Sequence, residues 1–287
     1  MLLAAGSPLA AQVALPWRSM VWSESFTATP PSGRYHLGGA AQVDVAAGHA
    51  VLTPAAESQT GRLFLRTLLP VSIFDLSFRG WFDSGGAGSG GGADGIVAVF
   101  APLYDHPARG GGALDFDGCL GYGVEFDTYQ NDDLGDRSPE HVAVIKDVSS
   151  NHLRSEMLAS PTLEDGRWHV LRIRFRNGTI EVFVDGQRRL DMQITDFFPF
   201  DGFFGFTSAT GFAFNEHRID DISLSLPTRR STDLGIVSAC GGAALDTVIM
   251  LRNNHPDAAA LTVTSVSLSS VPPDAFSLTS NPAPATV

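Results

Sequence analysis

Between Glu125 and His141 the chain reads EFDTYQNDDLGDRSPEH, a dense gathering of oxygen donors. Glu125, Asp127 and Tyr129 alternate, so on an extended strand their side chains share one face. Two neighbouring carboxylates repel unless a positive charge sits between them. Asn131, Asp132, Asp133 and Asp136 follow in a loop that contains Gly135. Such hard oxygens suit Ca²⁺, which takes ~6–8 of them at ~2.3–2.6 Å. His141 adds a nitrogen, better suited to a transition ion such as Mn²⁺. The ligand order and the flanking strands do not fit an EF-hand. The residues alone leave a second reading open, an acidic solvated loop between two strands.

Short strands would have to position this loop. Arg62–Leu69 and Ile73–Phe82 read as strands, followed by a glycine-rich loop from Gly85 to Gly92. Gly95–Ala101 (GIVAVFA) is almost continuously apolar, as in a central strand. Tyr122–Tyr129 and His141–Val148 flank the acidic loop. The clearest hairpin is VLRIRFRNGTIEVFVDGQ, in which Leu171, Ile173 and Phe175 alternate. Asn177-Gly178 turns the chain in type I′ fashion, and Ile180, Val182 and Val184 alternate on the way back. Asp185-Gly186 makes the next turn; Gly202–Thr207 and Ile219–Leu226 complete the set. Many alternating strands and little helix predict an all-β sandwich or barrel over residues 20–226. Trp81 and Trp168 are assigned to its core. Asn177-Gly178-Thr179 also spells an N-glycosylation pattern, which the hairpin turn already accounts for.

The 287 residues carry a formal net charge of −12, and the pI is about 4.9. An acidic surface repels phosphate backbones, which argues against nucleic acid and suits cations. No apolar run approaches the ~18 residues of a membrane span, so no membrane insertion is expected. Cys119 and Cys240 match neither a zinc pattern nor a disulfide framework and are read as free thiols in different domains. Residues 1–19 read as a floppy tail or as a signal peptide truncated at its front. Residues 227–234 (PTRRSTDL) read as a linker; the string also resembles the translation of a common sequencing adapter, in which case the two halves need not share a gene. Leu245–Arg252 and Leu261–Leu268 read as strands of another unit. Residues 235–287 resemble the start of an immunoglobulin-like module of bacterial surface proteins, cut short of the ~100 residues a whole one needs.

The spacing E-x-D-x-Y-x-N-x4-D-x4-H, with the Gly135-Asp136 pair and Ser138, resembles the double-metal loop of legume (L-type) lectins. The resemblance implies a concanavalin A-like jelly-roll β-sandwich across residues 20–226, followed by the partial immunoglobulin-like fragment. It implies that Glu125, Asp127, Asp136 and His141 hold a transition metal such as Mn²⁺. It further implies that Asp127, Asp136, Asn131 and the backbone carbonyl of Tyr129 hold Ca²⁺.

A sugar is recognised by a few convergent polar groups and an apolar face, with charged acceptors making the stronger bonds. Ala93-Asp94-Gly95 matches the family's ADG segment, which implies a sugar-binding Asp94 with a cis peptide before it. Arg109-Gly110-Gly111-Gly112 resembles the family's glycine loop, whose backbone N–H meets the sugar, here at Gly112. Asn131 then serves twice, with its oxygen on Ca²⁺ and its amide on the sugar. The metals' role would be to hold Asp94 and Asn131 in place before the ligand arrives. GFTSATG (Gly205–Gly211) resembles the loop that borders the sugar, giving Ala209 and Thr210 as contacts, and Glu216-His217 fits the strand after it. The Tyr129 ring is placed against a sugar face. The chain departs from the family after Gly112, where Ala113-Leu114-Asp115 replaces the usual aromatic and Leu-Gly; Asp115, Asp117 and Cys119 are expected to reshape the pocket edge.

These readings converge on a secreted or cell-surface protein that binds glycans reversibly without covalent chemistry. Copies of the chain, as in a homo-oligomer, would supply avidity. Sandwich glycoside hydrolases need two carboxylates flanking the scissile bond. A Glu-x-Asp-x-Glu strand would supply them, and here Tyr129 stands at the third position. An adhesion module that has kept the fold without sugar binding is the remaining alternative.

Overall fold

Along Ile73–Phe82, Phe74, Leu76, Phe78 and Phe82 are buried, and Ser77, Arg79 and Trp81 between them are only half-buried. A strand that alternates in this way has one face for a core and one for solvent. Repeated through the chain, the pattern gives a sandwich. The computed structural model describes residues 18–85, 92–159 and 163–227, with one further pairing between Thr262–Val263 and Ala285–Thr286. The chain divides into two compact units, Met1–Thr228 and Arg229–Val287. The immunoglobulin-like reading of 235–287 rests on residues that, that pairing apart, lie outside those described; so do Cys240, most of the linker and the first seventeen residues.

The first unit holds β1 (Arg18–Glu24), β2 (Tyr35–Gly39), β3 (Gln42–Asp44), β4 (His49–Thr53), β5 (Thr60–Leu65), β6 (Leu69–Val71), β7 (Ile73–Phe82) and β8 (Gly95–Ala101). It continues with β9 (Tyr122–Asp127), β10 (His141–Lys146), β11 (Val148–Met157), β12 (Trp168–Arg176), β13 (Thr179–Val184), β14 (Gln187–Gln193), β15 (Phe200–Ala209) and β16 (His217–Pro227). The back sheet runs β14-β13-β12-β7-β16-β4-β3, with β1 also on β16; the front sheet runs β11-β10-β9-β8-β15-β5-β2, with β6 on β15. Every pairing in both sheets is antiparallel, so the all-β sandwich expected from the alternation is what forms.

The inner faces meet in one aromatic-rich core, with the Phe78 ring 4.6 Å from Phe206 and 5.9 Å from Phe126. A second apolar cluster lies on the outer face of the front sheet. There Val97, Val99, Ala143 and Ile145 from the strands pack against Leu114, Phe116 and Cys119 from the segment between β8 and β9. That segment is therefore folded back onto the sheet, which brings its glycine loop to the acidic loop.

The β12–β13 turn matches expectation, since Asn177 and Gly178 have φ of 47° and 90° and a type I′ turn needs both positive. Six strands of the first unit lie where the sequence pattern marks none, β1 to β4 ahead of Arg62 and β11 and β14 further on. β11 and β14 are edge strands rich in exposed polar residues, so they lack apolar alternation. The strand expected over Arg62–Leu69 is two, β5 and β6. Trp81 and Trp168 are not core residues. They sit half-buried on the outer face of the back sheet, 5.6 Å apart edge to face, with Arg218 over Trp81 at 5.2 Å and Arg79 over Trp168 at 5.0 Å. Their rings are large enough to cover a sheet face and to stack with guanidinium groups without entering the interior.

Candidate metal and ligand site

Register places the acidic residues. Asp127 pairs with Gly95 on one side and His141 on the other, and Glu125 pairs with Val97 and Ala143. Since Val124 and Phe126 point into the core, Glu125 and Asp127 point to the outer face. Glu125, Asp127, Asp136 and His141 are all buried there. Burial, with the charges of Glu125 and Asp136 added, holds the Asp127 carboxyl well above the usual range. Asp136 is raised by burial as well, against the Asn131 N–H that it accepts. Burial opposes ionisation of Glu125, but hydrogen bonds with His141 and His152 outweigh it and hold this carboxyl low.

The loop beyond β9 is wound around these carboxylates. Asp127 Oδ1 accepts the Tyr129 N–H at 2.7 Å, and Asp136 Oδ2 accepts the Asn131 N–H at 2.7 Å. Asp136 is thus shared, with Oδ2 on the loop and Oδ1 facing His141 at 3.6 Å. His141 Nδ1 lies 3.2 Å from the Ser138 carbonyl oxygen. Donation to that oxygen leaves Nε2 as the lone-pair nitrogen aimed at Glu125.

Asp94 follows a cis Ala93–Asp94 peptide. Its N–H donates to the Ala209 carbonyl, and its own carbonyl accepts from the Thr128 N–H at 2.8 Å, which ties the start of the central strand β8 to the acidic loop. Burial, then the charge of Asp136, pushes its carboxyl up to about 7 against a hydrogen bond with Asn131. Asp94 Oδ2 and Asn131 Oδ1 are both buried without a partner. Unsatisfied buried acceptors are costly, so a pair of them at one place marks a site for a donor or a cation. Gly112 presses on the same asparagine, since a Cβ there would lie 2.5 Å from Asn131 Cγ and Oδ1. Only glycine lets the loop approach so closely.

The residues after Gly112 hold the loop and do not form a pocket edge. Asp115 is fully buried and takes both arms of Arg62, Nε and Nη2, at 2.8 Å. It also accepts the Arg109 N–H at 3.0 Å, and Arg62 Nη1 donates to the His106 carbonyl at 2.7 Å. Asp117 accepts the Ser149 N–H at 2.7 Å. Cys119 is a buried free thiol whose Sγ lies 3.2 Å from His106 Nε2, and burial pushes it up to about 12.

Tyr129 is half-buried and lines a groove of about 450 Å³ with Thr128, Gln130, Pro139, Glu140 and Glu164. Ala209 and Thr210 are fully buried. The Thr210 hydroxyl is already engaged, donating to the Ala56 carbonyl and accepting the Gln59 N–H at 2.8 Å, so these two side chains do not face a ligand. The exposed member of that loop is its neighbour Phe212, 78% accessible. It follows Gly211, at which a Cβ would lie 3.8 Å from Asp94 Oδ2. Glu216 pairs with Arg218, and His217 is buried against Thr53 Oγ1 at 2.7 Å.

The structure thus brings Asp94, Gly112, Asn131, Glu125, Asp127, Asp136 and His141 to one rim. Two residues that the sequence pattern does not single out join them, Phe212 and His152. The His152 Nε2 lies 2.9 Å from Glu125 Oε1. Four buried carboxylates, two imidazoles and two orphaned acceptors are a donor set that fits bound cations.

The fold is shared with solved lectins. The exoplasmic/lumenal domain of VIP36 in its Ca²⁺- and mannose-bound form aligns with a TM-score of 0.56 at 16% identity, covering 70% of this chain and 86% of that one. The basic winged bean lectin solved with Tn-antigen gives 0.57 at 20% identity, covering 69% and 94%. Lectin I-B4 from Griffonia simplicifolia, in a metal-free form, gives 0.56 at 18%, covering 71% and 99%. The sandwich is of the concanavalin A-like kind that these proteins have. Residues 29–230 match the model of the legume-like lectin family, and the chain belongs to that family.

Proposed function

We propose that this chain is a metal-dependent lectin, secreted or displayed at a cell surface, that binds the hydroxyls of a glycan reversibly and carries out no covalent chemistry. The observation that carries the reading is the meeting of Asp94 Oδ2 and Asn131 Oδ1, both buried and unpartnered, beneath the glycine loop and beside the carboxylate cluster. Asp94 would accept from adjacent sugar hydroxyls, and the Asn131 amide and the Gly112 N–H would donate. Phe212, next to Gly211, would offer an apolar surface at this point, and Tyr129 would offer another from the neighbouring groove.

Asp127, Asp136, Asn131 and the Tyr129 carbonyl would hold Ca²⁺, and Glu125, Asp127, Asp136 and His141 a transition ion. When bound, the cations would neutralise the carboxylate cluster and fix the loop that carries Asn131. Solved relatives of the same fold were captured with Ca²⁺ and mannose or with Tn-antigen, which supports a glycan as the ligand class. Among the described residues no helix is long and apolar enough to cross a membrane.

The test is a glycan-array screen with Ca²⁺ and Mn²⁺, repeated in excess chelator and with Asp94→Asn. Binding that chelator and the variant both abolish supports the lectin. Retained fold with no glycan bound would point to an adhesion module, and release of reducing sugar from bound glycans would point to a hydrolase.

A further inference from the structure

β11 does not pair evenly with β10. Val144 faces Arg154, so regular antiparallel pairing would set Leu153 opposite Ile145, yet Ile145 faces His152. This bulge of one residue puts His152 on the face that Ile145, Ala143 and His141 share. The side chain then reaches the buried cluster. His152 Nε2 is 2.9 Å from Glu125 Oε1 and 3.7 Å from Asp136 Oδ1, while His141 Nε2 is 3.1 Å and 3.6 Å from the same two atoms. The four donor atoms lie within 4.8 Å of one another.

We propose that His152 is a direct metal ligand and that Glu125, Asp136, His141 and His152 form a closed, four-coordinate site for a zinc-like transition ion. This inference rests on the reading of the cluster as metal-bearing, and it changes the ion and the ligand set expected there. A tetrahedron with bonds of ~2.0–2.1 Å has edges of ~3.3 Å, and the four nitrogen-to-oxygen distances fall on both sides of that value. Two imidazoles with two carboxylates favour a borderline ion over Ca²⁺. The side chains of Glu125, Asp136 and His141 are at most 4% exposed and that of His152 is 13% exposed, which leaves little space for the waters of a six-coordinate ion. Asp127 is not in this set. It faces the loop and accepts the Tyr129 N–H, so the nitrogen-bearing site and an oxygen site for Ca²⁺ share Asp136 alone.

Affinity order cannot decide the matter, because nitrogen and oxygen sites in general rank Mn²⁺ below Zn²⁺. Coordination geometry can. The full chain is stripped with chelator, dialysed and titrated with Co²⁺, whose four-coordinate complexes absorb visible light strongly and whose six-coordinate ones do so weakly. Zn²⁺ and Ca²⁺ are titrated by calorimetry on wild type and on His152→Ser, with a melt of each protein as the check on folding. The proposal expects an intense cobalt band in wild type that Zn²⁺ displaces. It expects His152→Ser to lose the band and at least ~100-fold in Zn²⁺ affinity, since even outer partners cost up to that much, with Ca²⁺ binding and fold retained. A weak band in wild type, or an intense band that survives in His152→Ser, would overturn the role of His152 while leaving metal-dependent sugar binding intact. No uptake of any ion by wild type would overturn this proposal and the metal dependence together.

Discussion

The outer faces of the two sheets use charge in opposite ways. On the back sheet, Asp75 is taken up by Arg172, Asp220 by Arg79, Glu181 by Arg188 and Arg174, and the tryptophans lie under guanidinium groups. Each of these carboxylates has an opposite charge within reach, most of the charges are in contact with water, and the face is an ordinary solvated surface. On the front sheet a folded-back segment excludes water. Beneath and beside it lie Glu125, Asp127, Asp136 and Asp94, with no lysine or arginine among the partners that set their protonation, apart from a minor repulsive effect of Arg137 on His152. Folding alone has no use for such a cluster, because buried like charges cost free energy. On the proposed reading, the charge that this face lacks arrives from outside as bound cations.

The front face does contain one fully paired buried charge, and it gives the largest expected effect. Arg62 and Asp115 form a two-armed pair with side chains 5% and 0% exposed. Asp115→Ala leaves a buried guanidinium alone and releases the Arg109 N–H, which should cost about 3–5 kcal/mol, on the order of 10 °C in Tm. On the back sheet, Asp191→Ala removes one of the two partners of Arg188, from a pair that is half exposed on both sides, and Tm should move by about 1 °C or less. Equal melting shifts in the two variants would erase the contrast between the faces.

The carboxylate cluster gives a change of sign. Asp127→Asn keeps an acceptor for the Tyr129 N–H and removes a buried negative charge. In chelator the variant should therefore melt above wild type. With Ca²⁺ alone at ~100 times its Kd, wild type should gain ~2.7 kcal/mol and the variant almost nothing, so the order reverses. A melt in which Asp127→Asn is the less stable under both conditions would break the claim that the cluster waits for cations.

Much of this was legible in the chain. Glu125, Asp127, Asn131, Asp136 and His141 stand close in sequence, and their alternation and spacing carry the chemistry with them. Asp94 and Gly112 lie on other segments and could be found through the family's motifs alone. His152 escaped for a physical reason, since it sits in a polar edge strand without alternation and a bulge decides which way it faces. Asp115 looked like a rim residue because a lone aspartate in a glycine-rich loop carries no sign of its partner, and Arg62 is far away in sequence. Thr210 shows the converse. Its motif is present, but the hydroxyl is taken by the backbone of the loop between β4 and β5.

A smaller, graded effect comes from His217, at the margin between core and site. Burial pushes this histidine down to about 3, so it stays neutral in the folded chain. Below about pH 6.5 the unfolded chain takes up a proton that the folded one refuses. Stability should then fall as pH drops from about 6.5 towards 3, by up to ~1.4 kcal/mol per unit. Glu164, pushed up to about 7 by burial and Glu140, works the other way and costs stability as pH rises from about 4.5 to 7. His217→Gln should remove the acid-side slope and leave the Glu164 slope, as read from urea midpoints across pH. An unchanged acid limb in the variant would show that the buried imidazole is not its source.

The smallest effect tests whether exposure on the front rim means more than exposure elsewhere. Phe212 and Phe198 are 78% and 80% accessible, so truncating either should leave Tm unchanged within a degree or so. Only Phe212 stands beside Gly211 and Asp94, whereas Phe198 lies in the loop between β14 and β15. A pyranose has an apolar face, and covering it with a ring contributes ~1 kcal/mol, about fivefold in Kd. Phe212→Ala should therefore weaken whichever glycan the array identifies by about that factor, with Phe198→Ala as the matched control. The loss should appear in dissociation rate more than in association rate, because a short-range apolar contact adds nothing to long-range steering. Equal affinities in the two variants would move the apolar side of the site away from Phe212 and onto Tyr129, whose half-buried ring lines the neighbouring groove.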